Sequence, residues 1–174
     1  MKEQITQAIR AALSDLREKD GHLFNCPIED LDDYDARKLH EVCINHQLSN
    51  HLEFHLLGLF EDGESLFFDI EFNREGGDHK TIYLNNSEAV VRPDIIFHNR
   101  KSGDDKRNIL IVECKKEGSS HGDISNDKDK IEAFIQNDKY SYEFGLQVIY
   151  GARPAMAHLF SYENKSIERC KIEW

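Results

Sequence analysis

An aspartate, a glutamate and a lysine lie against unbroken apolar runs in two segments, Arg92-Pro93-Asp94-Ile95-Ile96-Phe97 and Ile109-Leu110-Ile111-Val112-Glu113-Cys114-Lys115. Alternate residues of a strand share a face, so Glu113 and Lys115 project to the same side. If the two segments pair, Asp94 joins them. Two carboxylates at one point repel unless a proton or a cation intervenes, and hard oxygen donors with open positions suit Mg²⁺ or Mn²⁺. Lys115, a point charge on a flexible stem, would then face the ion and whatever it holds. On spacing alone, the same residues also read as strand-end charges facing water, with Glu113 and Lys115 forming a surface ion pair of little energetic worth.

Pro93-Asp94, followed after a hairpin-like spacer by Glu113-Cys114-Lys115, resembles the PD-(D/E)XK nuclease superfamily. More specifically, the chain is similar to small standalone nuclease-like proteins of prokaryotes and phage-related systems. The shared pieces run in order from about residue 38 to about residue 145: Glu41 on a helix, the acidic strand Asp69-Ile70-Glu71-Phe72-Asn73-Arg74, Asp94, Glu113-Lys115, and Asp127-Lys128-Asp129-Lys130 on a following helix. The resemblance implies a restriction-endonuclease-like α/β core, a mixed central sheet flanked by helices. It also implies Mg²⁺- or Mn²⁺-dependent hydrolysis of DNA phosphodiester bonds, in anti-phage defence or a mobile element.

On that resemblance Asp94, Glu113, Lys115 and Glu41 are the catalytic set. Asp94, Glu113, Glu41 and the backbone carbonyl of Cys114 would be the metal ligands, and Lys130, Lys116 and Arg74 the phosphate or nucleic-acid contacts. Phosphodiester hydrolysis needs an oxygen nucleophile near neutral pH and neutralisation of the charge that builds on the phosphoryl and leaving oxygens, which a carboxylate-held metal supplies. Asp127 reads either as a helix cap or as the group that orients Lys130, and Arg74 either as a phosphate contact or as a partner for an acid. Tyr142 and Gly145 read as structural, the glycine permitting a tight turn into the next strand.

The net charge of −11 argues against a freely acting polyanion binder, because nucleic acid is attracted by positive surfaces. Its distribution softens the objection. Residues 1–90 hold 8 Lys/Arg against 19 Asp/Glu, whereas residues 91–174 hold 14 of each. The acidity therefore predicts weak nonspecific binding, or a metal, a homodimer or a partner protein that supplies the binding surface. Alternative readings are a noncatalytic nuclease-fold interaction subunit, or a phosphodiesterase acting on RNA or a small phosphoester.

The chain's 174 residues suit one domain, with an N-terminal helix in 1–20 and a core over 35–150. No apolar run approaches a membrane span, and the start lacks a signal-like apolar stretch, which predicts a cytoplasmic protein with no membrane partner. Cys26, Cys43, Cys114 and Cys170 are isolated, which indicates neither a zinc site nor a disulfide framework. His51 and His55 have helical i, i+4 spacing without a third ligand and read as helix-surface histidines.

Periodicity predicts an amphipathic helix over residues 3–18, an acidic loop over 25–35 and a long helix over roughly 35–60 whose second apolar stripe includes Glu41. An inward carboxylate there is costly unless paired or metal-bound. Strands are predicted at 66–72, 81–84, 92–98 and 108–115, with residues 99–107 as a hairpin loop. A helix near 124–138, a strand at 146–150 and a final strand at 166–172 complete the set.

Overall fold

Ile5, Ala8, Ile9, Ala12, Leu13 and Leu16 recur every three or four residues, and all six are buried on one side of α1, Lys2–Asp20. That stripe packs against α2, Glu41–Leu56, whose Ile44, Leu48, Leu52 and Leu56 are buried in turn. The computed structural model describes residues 1–24, 41–60, 65–75, 77–84, 87–101, 103–151 and 156–174. The acidic loop expected over 25–35, Cys26 and the start of the helix expected from 35 lie outside these residues. No helix among the described residues is long and apolar enough to cross a membrane.

The described residues hold ten strands: β1 Phe67–Ile70, β2 Arg74–Glu75, β3 Asp78–His79, β4 Thr81–Leu84, β5 Ser87–Val90, β6 Ile95–His98, β7 Asn108–Lys116, β8 Phe144–Tyr150, β9 Met156–Glu163 and β10 Ser166–Ile172. Six build one sheet in the order β1-β6-β7-β8-β9-β10, while β2–β3 and β4–β5 form separate two-stranded ribbons. Only β7 and β8 run parallel within the sheet. A parallel pair needs a crossover, and α3, His121–Gln136, supplies it. The architecture is mixed α/β, as expected.

Strand alternation divides the sheet's contacts between two layers. Leu110, Val112 and Cys114 of β7 join Ile95, Phe97, Leu146 and Val148 under α1 and α2. Ile111 joins Ile96, Phe160 and the Ile131, Phe134 and Ile135 of α3 on the other face. β7 is central and covered on both faces, so a charge on its buried stretch reaches water with difficulty.

Three features depart from the expectation. Gly145 lies inside β8 rather than at a turn, and a Cβ built there would come 2.1 Å from Ile131 Cγ2; the glycine lets α3 close onto the sheet. His51 and His55 are not free surface groups: His51 Nε2 lies 2.7 Å from Asp20 Oδ2 and His55 Nε2 2.9 Å from Asp15 Oδ2, tying α2 to α1. β9 was not foreseen at all, although it joins β8 to the predicted final strand. Gly145→Ala is expected to lower unfolding free energy by about 1–3 kcal/mol through overpacking. Gly58→Ala, where a Cβ meets nothing within 4 Å, is the control; chemical denaturation of both variants checks this.

Candidate functional site

The ends of β6 and β7 are staggered. Ile95 pairs with Val112, so Glu113 to Lys116 run beyond the first residue of β6 and leave backbone groups on that side without a strand partner. Asp94, just ahead of β6, fills part of the gap: its Oδ2 accepts the Cys114 N–H at 2.7 Å. A strand residue directs its N–H and C=O to the same side, so the Cys114 carbonyl opens there too. Lys115 Nζ approaches that carbonyl at 3.4 Å. The hairpin thus brings Asp94, the Cys114 backbone, Glu113 and Lys115 to one point.

α3 closes the cluster from above. Its N-terminus is fixed by Ser120, whose hydroxyl accepts the Asp123 N–H at 3.1 Å and donates to Asp123 Oδ2 at 2.8 Å. Asp127 is therefore not the cap. It lies about two turns in, only 1% exposed, with Oδ2 3.0 Å from Lys115 Nζ and Oδ1 2.9 Å from Lys130 Nζ. Lys130 Nζ also donates to Glu113 Oε2 at 3.2 Å. Asp127 orients both lysines, and Lys130 bridges the two buried acids.

Glu113 is 2% exposed, and its Oε1 is buried with no hydrogen-bond partner among the described residues. Burial, followed by the charge of Asp94, pushes its carboxyl up to about 8. Burial also raises Asp94, against the partial relief of the Cys114 N–H. For Lys115, burial opposes the charged form, but the hydrogen bond and charge of Asp127 outweigh it and hold the ammonium above the ordinary range. Lys130 behaves alike, with Glu113 and Asp127 overcoming burial. With every group ionised, three carboxylates face two ammoniums, and the leftover negative charge falls on Glu113, where a proton or a cation would relieve it.

Glu41 is half-buried at the start of α2 rather than fully inward. Among the described residues it has no ion pair or hydrogen bond, and no group of three His, Cys, Asp or Glu side chains is gathered to hold a metal ion. Burial, then Cys114, Glu41 and Asp94, holds the phenol of Tyr150 above its ordinary range. Arg74 is exposed on β2 opposite His79. Asp69 of the acidic strand pairs with Arg100 at 2.8 Å and His98 at 2.9 Å, pinning the sheet edge. Lys116, half-buried, stands opposite Tyr150 in the β7–β8 register, so alternation sends it to the face away from Glu113.

Sequence reasoning missed the row that continues from Glu113. Gln147 of β8 stands opposite Glu113, His158 of β9 opposite Gln147, and Lys171 of β10 opposite His158. Gln147 is 2% exposed and donates to the Ile124 carbonyl at 2.7 Å, tying the first turn of α3 to the sheet. A lone amide in the apolar run Phe144–Tyr150 was the available signal, of the same kind that singled out Glu113.

Searches against protein-family models, curated proteins and solved structures found no match. The chemistry of this site therefore rests on its own geometry. A carboxyl raised by burial stabilises the fold in its protonated form, so that contribution is complete below its ordinary value of 4.5 and is lost as pH rises through about 8. Glu113→Gln, which mimics the neutral acid, is expected to melt higher than wild type in EDTA by a margin that grows with pH across that window. Thermal unfolding at a series of pH values measures it; a margin independent of pH would contradict the burial argument.

Proposed function

We propose that this chain is a metal-dependent nuclease with a restriction-endonuclease-like core, hydrolysing phosphodiester bonds of DNA. The observation that carries the reading is the meeting of Asp94, Glu113 and Lys115 at the staggered ends of β6 and β7, with a buried Glu113 oxygen left unpartnered. Supporting it are the antiparallel hairpin that bears these residues, the α3 crossover into a parallel β8, and helices on both faces of the sheet.

The donor chemistry fits a hard divalent cation. Asp94, Glu113 and the Cys114 carbonyl offer oxygen ligands at one point, and the cluster's excess negative charge calls for a cation. Mg²⁺ or Mn²⁺ bound there would supply Lewis-acid polarisation of a phosphoryl oxygen and a nucleophile available near neutral pH. The chain's own residues do the rest. Lys115, held by Asp127 and 22% exposed, places a fixed positive charge where negative charge develops on the phosphoryl group. Lys130 stabilises Glu113 and Asp127 while the carboxylates are uncompensated, and its ammonium can turn to a phosphate oxygen once a cation takes over Glu113. α3 and the Gln147 amide keep bulk water from the buried side of Glu113, which strengthens each of these interactions.

A second reading has its own support. The net charge of −11 and the closed network of Lys115, Lys130, Glu113 and Asp127 suit a nuclease fold kept as a noncatalytic interaction subunit, in which the ion pairs are purely structural. Cleavage of supercoiled plasmid, linear duplex, single-stranded DNA and RNA with Mg²⁺, Mn²⁺ or EDTA separates the two. The nuclease reading expects cation-dependent cleavage that Lys115→Ala reduces by about 10²-fold or more. Absence of cleavage by wild type under all these conditions would favour the second reading.

A further inference from the structure

Strand register fixes which side chains share the Glu113 face of the sheet. Registered partners point the same way, so Gln147 of β8, His158 of β9 and Lys171 of β10 continue the Glu113 row. Two residues along, Arg169 stands opposite Phe160 with its guanidinium 5.7 Å from the ring centre. Two further residues bring Tyr162, 41% exposed, opposite Ile167. Phe160 and Ile167 pack with Ile131, Phe134 and Ile135 of α3, so all of these side chains lie on the α3 side.

Charge on β9 and β10 is sorted by sign between the two faces. Glu163 and Glu168 have the opposite parity, that of Leu159 and Ile172 in the α1–α2 layer, and Lys2 of α1 holds them at 2.8 and 2.6 Å. Arg169 and Lys171, both exposed, fall on the α3 side. Lys171 meets Glu173 at 3.2 Å, a pair so exposed that it is worth little. Burial, then the charges of Arg169 and Lys171, hold the imidazole of His158 below its ordinary value, so the ring is neutral at pH 7 and the two cations set the local charge. Protection of an edge strand accounts for charge on β10 but not for this sorting, since an acid would serve on either face.

We propose that Arg169, Lys171 and the ring of Tyr162 form a binding track for the nucleic-acid strand that enters the Glu113 site: the two cations hold backbone phosphates and Tyr162 stacks on an unpaired base. This rests on the nuclease reading above. The track begins about 14 Å from Glu113, three strand spacings away, so it engages the polymer beyond the phosphate that reacts. Phosphate contacts of this kind position a substrate without reading its sequence. The exposed ring beside them favours a nucleic acid over another polyanion, because every base has a face to stack.

Anisotropy of fluorescein-labelled single-stranded and duplex DNA, in Ca²⁺ and in EDTA across a salt series, tests the proposal. Arg169→Ala/Lys171→Ala is expected to weaken single-strand binding by about 10-fold or more and to flatten the slope of log K against log salt by roughly one per residue removed. Arg10→Ala/Lys101→Ala removes the same charge from exposed positions elsewhere and is expected to change neither quantity appreciably, while Arg169→Lys/Lys171→Arg keeps wild-type binding. Tyr162→Ser is expected to weaken single-strand binding with the salt slope intact. Equal losses in the two alanine pairs would overturn the inference alone. Displacement of the DNA by a polyglutamate peptide of matched charge would also overturn it, making the track a seat for an acidic protein. Wild type that binds no DNA in either condition overturns it too, and hydrolysis of a soluble phosphodiester with Mn²⁺ by the same protein then shows whether the metal-site reading stands without it.

Discussion

A charged side chain on a strand covered from both sides must either be neutralised or be matched, and β7 carries two such residues at its end. Glu113 is one of seven consecutive buried residues, Asn108 to Cys114, and Lys115 comes directly after them. Removing an ion from water costs several kcal/mol unless partners return it. The sheet alone provides few partners. Those that return the energy come from elsewhere: Asp94 from the mouth of β6, and Asp127 and Lys130 from one turn of α3. The stagger of β6, the cap at Ser120 and the missing side chain at Gly145 can all be read as conditions for placing that turn over Glu113.

The matching is incomplete, and the shortfall is informative. Lys130 satisfies one oxygen of Glu113 and leaves the other bare. A network built only for stability would gain by replacing the whole set with apolar residues of similar volume, since buried ion pairs rarely outperform well-packed hydrocarbon. Retaining five charged groups with a net deficit of positive charge lowers the stability of the chain by itself. Sites that bind charged ligands show that pattern, because the ligand supplies what the fold withholds.

How much of this the sequence disclosed depended on whether the signal was local. Asp94, Glu113 and Lys115 were legible because charges interrupting apolar strands have few innocent explanations, and the six-residue stripe of α1 was legible from its period. Asp127 was visible as half of an Asp-x-x-Lys pair, but its near-complete burial was not, because burial depended on where α3 lands on the sheet. His51 and His55 could not be assigned from spacing, as their partners lie on a helix more than thirty residues earlier. β9 escaped because Met156–Glu163 mixes exposed and buried positions, and its register is fixed on both sides by β8 and β10. Gly145 looked like a turn glycine. Its role depends on Ile131, and such a close approach leaves no trace in either local segment.

The acidity of the chain bears differently on the site than on its surroundings. The excess carboxylates belong to residues 1–90, and the described ones in α1 are partly spent on local pairs, Asp15 with His55 and Lys19, Asp20 with His51. The cluster of Asp94, Glu113, Asp127, Lys115 and Lys130 is built from the balanced half, residues 91–174. A net charge of −11 does not pull nucleic acid onto the protein from a distance. Affinity for a long polymer must then come from short-range contacts at the site or from a second protein surface. A short or partner-delivered phosphodiester faces the weaker barrier of the two.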